Sequence, residues 1–221
     1  MPDISPKPCF ILLPGFAPDA MPVAPLKRRL EAAGHPVIAA NFWGSNPRRD
    51  FSSMTVGQCL DGVRAVIEEA KLKSPIVVGI GVSLGGALLL EHAKTHNDLR
   101  TIISIGTPFR LKKRMLFGFL AAIAPYVNPA WSVADKIRML RLSPLGAAPM
   151  VYRYLEGDFL KGLERITTPV VFLHSKRDAV TDYRAIEPFA GKLSSSEKRI
   201  AILNNGDHVI NYDADVIMEY V

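Results

Sequence analysis

A chain of 221 residues with 48% hydrophobic and 22% charged residues can bury a substantial core, which is typical of one globular domain and excludes a disordered or fibrous protein. No apolar run reaches the roughly 18 residues of a membrane span, and residues 1–8 lack an apolar signal segment. The net charge is +6, and we expect no nucleic-acid partner. We expect Cys9 and Cys59 to be reduced core thiols, which favours a cytoplasmic protein.

The first half of the chain alternates short apolar runs with amphipathic stretches. Residues 9–13, 36–40 and 76–82 are rich in Val, Ile and Leu and predict buried strands. Between them, residues 23–33 and 56–72 carry apolar residues at helical spacing. This alternation predicts an α/β fold with a mostly parallel central sheet and helices on both faces.

The second half continues the alternation after one interruption. Residues 101–106, 169–174 and 199–203 predict three further strands. Helices are expected around residues 183–193 and from residue 213 onward. The sheet predicted from both halves therefore has six strands joined by helical connections.

Residues 109–165 form the interruption, with helical patterns, four prolines and no clear strand. We interpret this segment as a small helical cap inserted into a core made of residues 1–108 and 166–221. The segment contains ten Lys and Arg residues against four Asp and Glu residues, so it carries the whole net charge of the chain. A basic insert is typical of a solvated face, and it also permits weak contact with anionic lipid surfaces.

The turn after the third predicted strand carries the strongest chemical motif. Gly81-Val82-Ser83-Leu84-Gly85-Gly86 follows the strand directly and precedes an Ala- and Leu-rich helix. So tight a turn strains its apical residue and leaves no room for side chains at residues 81 and 85. The hydroxyl of Ser83 is then exposed at a helix N-terminus, which favours a developing negative charge. We interpret Ser83 as a nucleophile; the alternative is a structural turn serine.

A serine hydroxyl becomes a nucleophile only when a base takes its proton. We favour His208 as the base because it follows the last strand directly, at the carboxyl edge of the sheet where α/β sites form. The alternative is a loop histidine. His174 ends an apolar strand and fits a buried, hydrogen-bonded core residue. The remaining histidines are assigned to loop, packing or distant helix positions: His35, His92 and His96.

The base in turn needs a carboxylate that holds its tautomer. Asp178 lies in the loop after the penultimate strand, and we expect it to be this acid. Its alternative role is a surface ion pair with Lys176 or Arg177. Asp182 fits an N-cap of the following helix. Asp207 adjoins the candidate base, but neighbouring residues on a turn rarely face each other.

An oxyanion hole requires two N–H groups aimed at one point. The amide of Leu84 follows the nucleophile directly and is the first candidate. The second is the amide of Phe16, in the loop Pro14-Gly15-Phe16 after the first strand, where Gly15 lets the backbone approach the site.

These motifs resemble the α/β-hydrolase superfamily, and within it small bacterial carboxylesterases and monoacylglycerol lipases. The resembling stretches are Leu13 to Phe16, Gly81 to Gly86, Asp178 and Gly206 to Ile210, in the order of the family. The resemblance implies an α/β-hydrolase fold and hydrolysis of carboxylic esters through an acyl-enzyme by a Ser-His-Asp triad. It also implies no metal and no organic cofactor. The chain departs from the family in having Pro14-Gly15 where relatives usually have His-Gly.

The start of the predicted cap is basic and then strongly apolar. Its large side chains fit an acyl pocket above the nucleophile, the packed underside of the cap, or a helix at a lipid surface. They are Phe109, Met115, Phe117, Phe119, Tyr126 and Trp131. The pocket alternative predicts a short- to medium-chain ester as the small-molecule substrate.

The function predicted from the sequence is therefore that of a serine carboxylesterase. The nearest alternative is a thioesterase or acyltransferase with the same triad, since all three pass through an acyl-enzyme. An alternative from another class is a non-catalytic binding protein that keeps the fold. The sequence does not predict an oligomeric state.

Overall fold

A single sheet organises the chain. The computed structural model describes residues 6–16, 23–40, 51–112, 132–134, 144–204, 208 and 214–221. The strands in these ranges are β1 (Cys9–Leu13), β2 (Val37–Ala39), β3 (Val77–Val82), β4 (Thr101–Ile105), β5 (Val170–Ser175) and β6 (Lys198–Leu203). They lie in the order β2-β1-β3-β4-β5-β6, and every neighbouring pair is parallel.

The register of the strands brings their carboxyl ends to one edge of the sheet. Val82 at the end of β3 pairs with Ile105 at the end of β4, and Ile105 pairs with Leu173 of β5. The last residue of β5, Ser175, pairs with Leu203, the last residue of β6. The loops after β3, β4, β5 and β6 therefore leave the sheet side by side, at the edge where sites form in parallel sheets.

Helices cover both faces of the sheet. The α-helices in the described ranges are α1 (Val23–Ala32), α2 (Val56–Lys71), α3 (Leu84–Ala93), α4 (Ala148–Glu156), α5 (Ile186–Ala190) and α6 (Ala214–Met218). Short 3-10 helices span Phe51–Ser53, Pro144–Ala147, Asp158–Leu160, Leu163–Arg165 and Tyr183–Ala185. None of the helices in the described part of the chain has the length and apolar character needed to cross a membrane.

Alternate residues of the strands feed two separate cores. In β1, Cys9, Ile11 and Leu13 pack in the core that lies under α2 and α3. Phe10 and Leu12, which point to the opposite face, pack with residues of α1 and α6. Because successive side chains of a strand point to opposite faces, a strand buried on both faces must be apolar throughout. This explains why β1 and β3, which are buried along their whole length, are continuous apolar runs in the sequence.

The strands and most helices agree with the sequence predictions to within one or two residues at each end. The exception is the helix predicted over residues 183–193, which is a 3-10 helix, Tyr183–Ala185, followed by the short helix α5. Pro188 has no N–H to donate, so the α-helix can only begin just before it. Asp182 caps the 3-10 helix by accepting a hydrogen bond from the Arg184 N–H at 3.2 Å, as predicted.

The predicted cap is described only in part, at residues 109–112, 132–134 and 144–165. Residues 144–165 form α4 and three 3-10 helices, in agreement with the helical pattern. Leu111 makes an isolated antiparallel bridge to Thr181, in the loop after β5. The division into a core and a cap stays a prediction.

Candidate active site

Ser83 lies on a strained turn between β3 and α3. Its φ of 51° and ψ of −117° make it the one non-glycine residue with a positive φ in the described part of the chain. Its N–H donates to the carbonyl of Ile105 at 2.8 Å, which fixes the turn to the end of β4. Strain of this kind persists only where the surroundings hold it, and it is a frequent mark of a functional residue.

The glycines around Ser83 are required by close approach of backbone to backbone. A Cβ at Gly81 would lie 2.5 Å from the Gly86 nitrogen, and one at Gly85 would lie 2.6 Å from the Leu13 carbonyl oxygen. Both distances are too short for real atoms, which confirms the predicted lack of room at residues 81 and 85. Gly86, for which the sequence suggested no reason, is just as constrained, because a Cβ there would overlap the hydroxyl of Thr107.

The structure brings His208 into contact with Ser83. The Nε2 atom of His208 lies 3.0 Å from the Oγ atom of Ser83. On the other side of the ring, Nδ1 lies 2.8 Å from Oδ2 of Asp178. Three residues far apart in sequence therefore form one hydrogen-bonded chain at the carboxyl edge of the sheet. Asp207, the neighbour of His208, lies outside the described residues.

Asp178 is fully buried, at 0% exposure, so the alternative of a surface ion pair with Lys176 or Arg177 is wrong. Its Oδ1 accepts the N–H groups of Val180 at 2.8 Å and Thr181 at 2.9 Å. Its Oδ2 accepts the hydroxyl of Thr181 at 2.7 Å in addition to His208. The carboxylate is thus held on both oxygens by its own loop.

The electrostatics of the site keep Asp178 ionised. Burial alone acts to raise the pKa of the Asp178 carboxyl, but hydrogen bonds from His174 and His208, the attraction of His208 and the Thr181 N–H outweigh it. The pKa of Asp178 therefore lies well below its ordinary value. An ionised carboxylate is the form that can accept a hydrogen bond from the Nδ1–H of an imidazole.

His174 also contacts this carboxylate. It is the second-last residue of β5, with 1% exposure, and its Nε2 lies 3.1 Å from Oδ2 of Asp178 and 2.6 Å from the hydroxyl of Thr181. The sequence indicated a buried, hydrogen-bonded histidine here, which is confirmed, but it did not indicate the partner. In the sequence, only the position of His174, four residues before Asp178, could have indicated this contact.

The residue Leu84 and the loop that carries Phe16 lie next to Ser83. Leu84 is the first residue of α3, so the helix itself does not use its N–H. A Cβ at Gly15 would lie 3.3 Å from the Cβ of Ser83, so the loop after β1 passes directly against the serine. Phe16 follows in this loop and is half-buried against the core.

Of the six large side chains proposed for the acyl pocket, the structure describes only Phe109. It is 4% exposed and lies among the rings of Phe159, Phe172 and Phe189, with centroid distances of 4.8 to 5.7 Å. For Phe109, the structure therefore favours the packing alternative over an open pocket wall. The others lie outside the described residues: Met115, Phe117, Phe119, Tyr126 and Trp131.

The other histidines lie away from the site. His92 is buried on α3 and hydrogen-bonds to Asp98 at 2.8 Å, while exposed His96 stacks on its ring at 4.3 Å. Over the described ranges, no three His, Cys, Asp or Glu side chains are grouped as metal ligands would be.

The start of the predicted cap is hydrogen-bonded to the loop that carries Asp178. The main-chain N–H of Lys112 donates to the Val180 carbonyl at 2.9 Å, and the N–H of Asp182 donates to the Arg110 carbonyl at 3.0 Å. The ammonium group of Lys112 also donates to the main-chain carbonyl of Asp178. The loop that carries Asp178 is thus held by the segment that follows β4 as well as by its own connection to β5.

Solved structures resemble this fold along the whole chain. One is described under the heading of LipS and LipT, two metagenome-derived lipolytic enzymes. It has 17% identity, a TM-score of 0.70, and coverage of 100% of this chain and 96% of that one. Another is the esterase EaEST from Exiguobacterium antarcticum, with 16% identity, a TM-score of 0.70, and coverage of 98% and 92%. A third is the monoacylglycerol lipase of Paleococcus ferrophilus, with 17% identity, a TM-score of 0.65, and coverage of 98% and 95%.

Comparison with curated protein sequences gave no match. The sequence does match the Alpha/beta hydrolase family, and the match extends over residues 10–219. It therefore includes the six strands except for Cys9 at the start of β1, together with the turn at Ser83 and the loops of Asp178 and His208. By this match, the chain belongs to the alpha/beta hydrolase family.

Proposed function

We propose that the protein is a cytoplasmic serine carboxylesterase that hydrolyses short- to medium-chain carboxylic esters. The observation that carries this proposal is the contact of His208 with Ser83 at 3.0 Å and with Asp178 at 2.8 Å. These are the contacts that a base needs in order to take a proton from a hydroxyl and to be held in the correct tautomer.

In the acylation step, Oγ of Ser83 attacks the carbonyl carbon of the ester while Nε2 of His208 takes the hydroxyl proton. The ionised Asp178 accepts a hydrogen bond from Nδ1–H and stabilises the imidazolium that forms. When the tetrahedral intermediate collapses, His208 gives the proton to the departing alcohol oxygen. Water then attacks the acyl-enzyme by the same route, releasing the acid and restoring Ser83.

The negative charge on the ester oxygen requires donors that are already in place. We assign this role to the N–H of Leu84, at the N-terminus of α3, and to that of Phe16. Two features support it: the amide of Leu84 is free of the helix ladder, and Gly15 allows the loop of Phe16 to pass against Ser83. Neither donor requires a metal or an organic cofactor.

A matched set of variants tests the proposal. The wild type should hydrolyse p-nitrophenyl butyrate, and Ser83→Ala should lose at least about a thousandfold in kcat/KM because it removes the nucleophile. His208→Ala should lose a similar factor, whereas His96→Ala, a change at an exposed histidine outside the site, should match the wild type. Full activity in Ser83→Ala would contradict the assignment.

The acyl-chain preference is tested separately. Across p-nitrophenyl esters from acetate to palmitate, we expect kcat/KM to peak between butyrate and octanoate, since the apolar sequence of the predicted cap favours an extended acyl site. A clear preference for acetate would contradict an extended apolar site. Faster turnover of acyl-CoA than of the matching p-nitrophenyl ester would instead indicate a thioesterase or acyltransferase.

The monoacylglycerol lipase and the esterases of similar fold are consistent with ester chemistry, although their identity of 16% to 17% carries only the fold. A non-catalytic binding protein of this fold would not need a strained serine aligned with a base and a buried carboxylate. Failure of the wild type to react with any ester or thioester would favour that alternative.

A further inference from the structure

The carboxylate of Asp178 has more donors than an acid of this kind requires. Its Oδ2 is approached by Nδ1 of His208 at 2.8 Å, by the hydroxyl of Thr181 at 2.7 Å and by Nε2 of His174 at 3.1 Å. The first contact belongs to the triad. The other two come from side chains that are buried, at 0% for Thr181 and 1% for His174.

The direction of these hydrogen bonds follows from counting protons. The hydroxyl of Thr181 has one proton, and an ionised carboxylate can only accept, so Thr181 donates this proton to Oδ2. The hydroxyl oxygen must then accept from Nε2 of His174, 2.6 Å away. His174 therefore carries a proton on Nε2, and the donors run from His174 to Thr181 to Asp178.

We propose that His174 and Thr181 are positioning residues that fix the orientation of Asp178 and share the negative charge on the oxygen that faces His208. This inference rests on the proposed function, because it concerns the acid of the same triad. Oδ1 is held by two main-chain N–H groups of the loop. The side chains of His174 and Thr181 therefore act on Oδ2 alone. Lys112 faces the main-chain carbonyl of Asp178 and not its carboxylate.

The consequence concerns the balance of charge at Oδ2. Donors that withdraw charge from this oxygen weaken its attraction for a protonated imidazole at His208. Removing either donor, Thr181 or His174, therefore strengthens this attraction. The base should then hold its proton more strongly, so activity should need a higher pH. A histidine that only fills space in the core would have no such effect.

Thr181→Val is the sharpest test, because it replaces the hydroxyl by a methyl group of nearly the same shape. We expect kcat on p-nitrophenyl butyrate to fall roughly tenfold with KM unchanged, since Asp178 does not touch the substrate. The midpoint of the acid limb of the kcat/KM profile should move up by about half a pH unit. Thr181→Ser, which keeps the hydroxyl, should restore both values.

His174→Leu should reproduce the effects of Thr181→Val, and His174→Gln, which can place an N–H near the position of Nε2, should recover part of them. The double variant should lose no more than about the larger single effect, because the two residues act through one oxygen. His92→Leu is the matched control: it removes another buried histidine bonded to a carboxylate, and the acid limb should stay in place.

The proposal fails if Thr181→Val and His174→Leu leave the acid limb unmoved or shift it to lower pH. Long-range ¹H–¹⁵N spectra of the wild type give a readout that needs no turnover, since they report which nitrogen of each histidine is protonated. A proton on Nε2 of His174 supports the proposal, and an unprotonated Nε2 overturns it. This result stands even if no ester is hydrolysed, so the two proposals can fail separately.

Discussion

At the scale of single residues, the site depends on how a buried charge is stabilised. An ionised carboxylate taken out of water is costly unless hydrogen bonds replace its hydration. Asp178 meets this condition, because Val180, Thr181, His174 and His208 together supply donors to both of its oxygens. The same donors that stabilise the fold also keep the carboxylate in the ionised form that the proposed triad requires.

Asp178→Asn should therefore lower stability as well as activity. The amide presents its own N–H groups where only acceptors fit, so at least one buried donor loses its partner. We expect the free energy of unfolding at pH 7 to fall by about 3 kcal/mol. The measurement is urea unfolding of wild type and variant, with Glu219→Gln, a change at an exposed residue outside the site, as the control.

The difference in unfolding free energy between the wild type and Asp178→Asn should become smaller at low pH. The pKa of Asp178 is lower in the folded protein than its ordinary value of 3.8, so the unfolded chain binds the proton first as the pH falls. The stabilisation is complete above the unfolded pKa and is lost as the pH falls towards the folded pKa. Below about pH 3.8 the gap between wild type and Asp178→Asn should shrink by up to about 1.4 kcal/mol per pH unit. A gap that stays constant down to pH 2.5 would contradict the lowered pKa.

At the scale of elements, the unit that matters is the strand, turn and helix formed by β3 and α3. Its glycines allow the turn to pass against the end of β1, where a Cβ at Gly85 would meet the carbonyls of Leu13 and Pro14. These neighbours are backbone atoms at the end of β1 and just after it, and they cannot move aside. The close approach also brings the loop of Gly15 next to Ser83, so packing and the proposed catalysis depend on the same absence of side chains.

Two glycine variants separate this effect from a general cost of substitution. Gly85→Ala should destabilise the protein by about 3 kcal/mol, because the backbone of β1 must shift. Gly57→Ala, in the first turn of α2, places its Cβ at an ordinary 3.7 Å from the Thr55 hydroxyl. It should leave the stability of the protein unchanged or raise it by about half a kcal/mol. Thermal unfolding measures both, and equal melting temperatures for the two variants would be incompatible with the close approach.

At the scale of the whole molecule, the sequence predicts the sheet well. Strands buried on both faces are apolar throughout, so β1, β3 and β5 are visible as short runs of Val, Ile and Leu. The parallel order brings the ends of β3, β5 and β6 to one edge, which is why three distant residues could be selected for one site. The helix after Asp182 was less predictable, because a single proline decides where its α-helical part begins.

The part of the site that the sequence did not reveal depends on side-chain contacts within a loop. His174 reaches Asp178 because the chain after β5 turns back on itself and places Thr181 between the two. Neither apolar periodicity nor motif spacing records such a turn. The close approach at Gly86 was missed for the same reason, since it depends on the hydroxyl of Thr107 in the loop after β4.

The central claim, that Ser83 is a nucleophile activated by His208, is tested most directly by covalent labelling with a fluorophosphonate and intact-mass measurement. We expect the wild type and His96→Ala to gain one adduct per chain at the same rate. Ser83→Ala should gain none, and His208→Ala should react at least about a thousandfold more slowly. An adduct on Ser83→Ala, or a rate in His208→Ala equal to that of the wild type, would contradict the account.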